Sequence, residues 1–166
     1  MAVIGGTLTA YVEEEDMTVD PTHRALLKAM ALGETQQAVG LSASIPDGEE
    51  NDYHMLVTAL FCVLLGHRFN DVPTRDKIVE FVNEMRFDYR DADPAIKPLA
   101  IEVTIRASLG EDDLLAEISP ADTLTAEYQV IRKIVLQSPV AIADIEWFLD
   151  GAGELATQWR SEEPAS

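Results

Sequence analysis

A chain of 166 residues with 47% hydrophobic and 25% charged side chains is long enough for one self-sufficient domain, and this composition excludes a largely disordered polypeptide. Thirty acids against twelve bases leave a formal charge of −18, which repels phosphate backbones and anionic lipid, since both are held by Lys and Arg. Direct nucleic-acid binding is therefore not expected; the same charge favours a basic protein partner, or serves only to keep the chain soluble.

Cys62 is the single cysteine, so no internal disulfide can form. The opening MAVIGGTLTA carries no Lys or Arg to begin a signal peptide. Together these set a cytoplasmic expectation.

Residues 1–19 form an N-terminal arm with a short alternating piece at 7–12, Thr-Leu-Thr-Ala-Tyr-Val, and the acidic run Glu13-Glu14-Glu15-Asp16. A lone strand, a flexible arm and a swapped segment all suit it. From residue 20 the signals become helical. Asp20-Pro21, Asp93-Pro94, Ser119-Pro120 and Ser138-Pro139 each put a side-chain oxygen before a proline, the combination that opens helices. The first predicted helix runs from Pro21 to Leu32 and stops at Gly33. A helical turn is expected around Gln36–Val39, then a turn at Pro46-Asp47-Gly48.

Tyr53–Phe69 is the most apolar stretch; between Met55 and Leu65 only Thr58 is polar. It falls short of the roughly 20 apolar residues of a membrane span, and His67 and Arg68 close it. It is read as the central buried helix. A helix from Asp71 or Thr74 follows, with Ile78, Val79, Phe81, Val82 and Met85 inward. Residues 99–109 fit a strand or a helix; helical neighbours and Gly110 favour the helix. Leu124, Tyr128, Ile131 and Val135 stripe the next helix, with Arg132 and Lys133 placed outside it. Ile142, Ile145 and Leu149 stripe the last, which Gly151 and Gly153 are expected to interrupt before a short piece at 154–159. The tail 161–166 is expected to fray.

The fold expectation is an all-α, single-domain bundle of five to six helices spanning residues 20–160 around a central helix at about 53–69.

Motifs for chemistry fail one by one. Gly151-Ala-Gly153-Glu-Leu-Ala156 spells a dinucleotide fingerprint but follows a helix, where the pyrophosphate site needs a strand. Gln37–Ser44 resembles the turn of a helix-turn-helix reader, yet Pro46, Asp47, Glu49 and Glu50 occupy the place of the recognition helix. His23, His54 and His67 lack a paired ligand motif, and Glu50 with His54 reads as an i, i+4 surface pair. Asp88, Asp91 and Asp93 lack the glycine of a calcium loop. Cys62 has no neighbouring charge to activate it. No catalytic residue, cofactor or metal ligand is assigned, and an enzyme is not the favoured reading.

Thr58, Cys62 and Gly66, with Ala59 beside them, make a line of small side chains suited to a close helix–helix or homodimer contact. Trp147 and Trp159 are the candidate partner-binding aromatics. The functional expectation is a cytoplasmic protein–protein interaction module of the adaptor, assembly-chaperone or inhibitor type. The alternatives are an enzyme or small-ligand binder with an interhelical pocket, and an acidic regulator that mimics nucleic acid.

Overall fold

The computed structural model describes residues 19–162. The expectations for residues 1–18 and 163–166 lie outside them. Every regular element among the described residues is helical. In chain order they are α1 (Pro21–Leu32), α2 (Thr35–Ser42), α3 (Glu50–Phe69), α4 (Arg75–Asp88), α5 (Pro98–Ser108), a short 3₁₀ segment (Asp112–Glu117), α6 (Pro120–Leu136), α7 (Pro139–Ala143) and α8 (Ile145–Glu162).

Local chemistry sets most of the boundaries. Asp20 accepts the Thr22 N–H at 2.7 Å to open α1, and Gly33 closes it at φ 74°, where a left-handed backbone returns its N–H to the last carbonyls. Thr74, Ser119 and Ser138 cap α4, α6 and α7 in the same way. The region that could have been a strand is α5. Its start differs from expectation: Asp93-Pro94 lies in a loop, with a cis peptide bond, and the helix opens at Pro98 instead.

The central helix is α3. Tyr53, Leu56, Val57, Leu60, Phe61, Leu64 and Leu65 are buried around most of its circumference, which is why no amphipathic pattern showed in its sequence. It packs on α8 to one side and α6 to the other, while α1 closes on α6 and α2, and α5 joins α6 to α4. Each fully buried Leu, Ile or Phe of this core contributes about 1.5–3 kcal/mol. No helix among the described residues is long and apolar enough to cross a membrane.

Three further expectations are corrected. Residues 139–162 do not form one helix broken at the glycines; the break comes earlier, at Asp144, and α8 continues through Gly151 and Gly153. Those glycines make room for neighbours. A Cβ on Gly153 would meet Val19 Cγ2 at 3.1 Å, and one on Gly151 would meet Val63 at 3.8 Å. Second, Lys133 lies inside the fold, 1% exposed, because it shares a helical face with Ala126 and Val130. Third, the turn expected near residues 36–39 is the full eight-residue helix α2.

Candidate functional site

The short helix α2 returns over α1 through the tight turn at Gly33, where Glu34 N–H reaches the Ala29 carbonyl at 2.9 Å. Only Ala38 of α2 is buried, so the helix bridges to α1 and stands away from α3 and α6. The result is a cleft of about 810 Å³ walled by α1, α2, α3, α6 and the 43–47 connection.

Its walls are mostly apolar: Leu26 and Met30 from α1, Ala38 and Val39 from α2, Leu124 from α6. Polar groups gather on the α3–α6 side. The Tyr128 hydroxyl donates to the Tyr53 oxygen at 2.6 Å, and burial pushes both phenols up from their ordinary range. One turn along α6, Arg132 donates its Nε–H to the Met30 carbonyl at 3.3 Å. Arg132 is the one half-buried base with no carboxylate partner among the described residues. Asp47, Glu50 and His54 also line the cleft, as do Thr35 and Ser42 of α2.

His54 and Leu124 also border an adjoining hollow of about 270 Å³, lined by Thr58, Leu115, Ile118, Thr123 and Glu127. Glu127 is 5% exposed, and its partner is the Thr58 hydroxyl, 3.0 and 3.1 Å from the two carboxylate oxygens. Burial pushes the Glu127 carboxyl up to about 7, against the smaller opposing effect of Thr58. A carboxyl that titrates near neutrality can hold or release a proton under physiological conditions. The nearby Cys62 thiol is not activated, since burial pushes it up to about 11.

The small-residue line of α3 is only partly assembled. Thr58 is committed to Glu127, and Ala59 is fully buried in the core. Cys62 and Gly66 border a further hollow of about 200 Å³ with Phe69, Pro73 and Leu109. A Cβ on Gly66 would meet nothing within 4 Å, so no helix among the described residues approaches it closely. The two tryptophans part company as well. Trp147 is 68% exposed, edge-on to Phe148, whereas Trp159 packs half-buried against the core.

Sequence reasoning missed Tyr53, Tyr128, Arg132 and Glu127 as a set. Tyr128 was legible only as a core stripe, and the arginine looked like solvated surface. Helical register could have found Glu127, three residues after Leu124 and four before Ile131. Comparison with known protein families, with curated proteins and with solved structures finds no match.

Proposed function

We propose that this chain is a ligand-binding protein whose site is the α1–α2–α3–α6 cleft, and whose ligand is a small organic molecule with an apolar body and an acidic head. One observation carries this reading: an apolar cleft of about 810 Å³ with the Tyr53–Tyr128 pair and an uncompensated Arg132 converging on one side. Small-molecule sites have this form, about 300–1,000 Å³ of mostly apolar wall with a few fixed polar groups. The net charge of −18 opposes an anion at long range, but that field is screened beyond about 8 Å at physiological salt. Asp47 and Glu50 also line the cleft, so an anionic head must be held locally at the guanidinium and the phenols. The lone Cys62, which can form no internal disulfide, supports a reducing, cytoplasmic setting for this activity.

Anilinonaphthalene sulfonate, an apolar dye with one anionic group, tests the reading. Fluorescence titration should show saturable binding at one site per chain. Val39→Trp, at the exposed cleft wall, should abolish that binding, and Arg132→Gln should weaken it about tenfold, the worth of one charge-assisted hydrogen bond. Binding that ignores both substitutions, in protein with an unchanged melting curve, would place the dye elsewhere and end the proposal.

A protein partner is the second reading, favoured by the exposure of Trp147 at 68%, with Val140 at 56% and Ile142 at 43% a few residues before it in the chain. The partner is a basic protein or a second copy, whose helix could reach the open Gly66. Light scattering at low micromolar concentration decides the second copy, since a mass of 18.3 kDa leaves only the monomer. Capture of the same basic protein from lysate by the native chain and by Trp147→Ser, in equal yield, would remove this surface.

A further inference from the structure

We propose that Asp20, His23 and Glu49 form a divalent transition-metal site that pins the start of α1 to the start of α3. The site uses none of the polar groups assigned to the cleft and does not depend on the reading given to it.

The three residues come from two helix entrances. Asp20 caps α1 with one carboxylate oxygen, Oδ1, on the Thr22 N–H at 2.7 Å, which leaves Oδ2 free to bind. His23 stands one turn later on the same helix. Glu49 immediately precedes α3 and makes no capping hydrogen bond with its side chain. The candidate ligand atoms of all three lie within 4.8 Å of one another.

Two of these groups are otherwise unexplained. His23 is 4% exposed, and neither its Nε2 nor Glu49 Oε2, both buried atoms, has a hydrogen-bond partner. Polar atoms buried in this way destabilise a fold unless something satisfies them. They face each other at 3.4 Å. That is about the separation of two donors at the corners of a tetrahedron around an ion with metal–ligand bonds of about 2.0–2.2 Å. A protonated imidazole could instead make a bare ion pair here, but the contact lacks hydrogen-bond geometry, so a cation between the two atoms satisfies both better.

Room and charge agree. The atoms open onto a cavity of about 190 Å³ that is also bordered by Asp52 and Arg160, enough for water to complete the coordination shell. Three carboxylates (Asp20, Glu49, Asp52) against one guanidinium (Arg160) leave two negative charges for a divalent ion. One imidazole nitrogen with carboxylate oxygens suits Zn²⁺, Co²⁺ or Mn²⁺, whereas Ca²⁺ and Mg²⁺ take oxygen alone. The His23 ring also rests against Tyr53, ring centres 5.8 Å apart, so an ion here would brace a residue of the cleft from behind.

The test is a titration of metal-free full-length protein with Zn²⁺ alone, by calorimetry, and with Co²⁺ alone, by visible absorption. Co²⁺ in a four- or five-coordinate site containing imidazole absorbs far more strongly than Co²⁺ held by surface carboxylates. We expect one equivalent of each metal, an intense Co²⁺ spectrum, and a higher melting temperature with Zn²⁺. His23→Gln and Glu49→Gln should each weaken binding by more than about tenfold, while His67→Gln, at the far end of α3, should not. Should His23→Gln fail to fold, Glu49→Gln decides, because that side chain is 41% exposed and tolerant of change. Absence of the Co²⁺ spectrum, or Zn²⁺ binding equally strong in Glu49→Gln, would mean that the cavity holds water only and the acidic surface holds the ions. Either result overturns the site.

Discussion

Helix α6 buries two charged residues less than two turns apart, and the fold treats them in opposite ways. Lys133 is 1% exposed and fully provided for: its ammonium donates to Asp88 at 2.9 Å and to Gln137 at 2.8 Å, and lies 3.4 Å from Glu84. Gln137 in turn donates to Asp88 at 2.8 Å, and the Lys133 and Gln137 hydrogen bonds hold the Asp88 carboxyl below its ordinary range. Among the described residues Glu127 has one hydroxyl and no cation. Burial with a complete set of partners keeps a charge in place and makes it structural. Burial with one weak partner moves a carboxyl toward neutrality and makes it responsive to pH.

The largest effect should come from breaking the satisfied member. Lys133→Ala removes a buried stem and leaves Asp88 and Glu84 without their common counter-ion, and should cost about 4 kcal/mol by urea denaturation. Lys133→Met refills the volume without the charge. The two carboxylates are partly exposed and can turn to water, so the methionine variant should recover most of the loss. Equal losses in both variants would show that the charge, and not the packed stem, carries the stability.

Glu127 should announce itself in the pH dependence. Its folded pKa of about 7 lies above the ordinary 4.5, so the folded state holds the proton more tightly than the unfolded state. The stability that follows is fully present below about pH 4.5 and is lost as pH rises to about 7, a fall of about 3 kcal/mol. Asp88, Glu111, Asp122 and Glu146, all held below their ordinary ranges by basic partners, work in the opposite sense and at lower pH. Subtracting the Glu127→Gln profile from that of the native chain removes their effect. The difference should slope only between about pH 4.5 and 7, and a flat difference would mean that Glu127 is solvated like any surface acid.

This contrast also shows where the sequence was legible. Helix entrances are local events, and Asp20-Pro21, Ser119-Pro120 and Ser138-Pro139 each opened a helix as read. Asp93-Pro94 did not, because a cap and a proline are necessary chemistry at a helix start without being sufficient. The central helix was visible because an apolar run of that length has nowhere to go but inside. Lys133 was placed outside because charge was given more weight than register, although it follows Val130 by three residues. The cleft was illegible for a different reason. It is a gap left where α2 stands off from α3 and α6, and no pattern of side chains encodes empty space. The Asp20, His23 and Glu49 cluster was hidden by chain distance, since two helix entrances had to be brought together in space before the third ligand could be seen.

The smallest effect is the most discriminating. By sequence Thr58 belongs to the line of small residues on α3; the structure gives it a different task, as the sole hydrogen-bond donor to Glu127 among the described residues. Thr58→Val keeps the shape and removes the donor. If the threonine serves the carboxylate, its loss should cost about 1 kcal/mol at pH 8, where Glu127 of the native chain is ionised, and little at pH 4.5, where a protonated carboxyl needs no donor. The same loss favours the neutral acid, so the titration of Glu127 should move up by about one pH unit, in keeping with about 1.4 kcal/mol per unit. A threonine acting only as a small surface for a neighbouring helix would give a cost independent of pH, and the midpoint of the Glu127 transition would stay where it was.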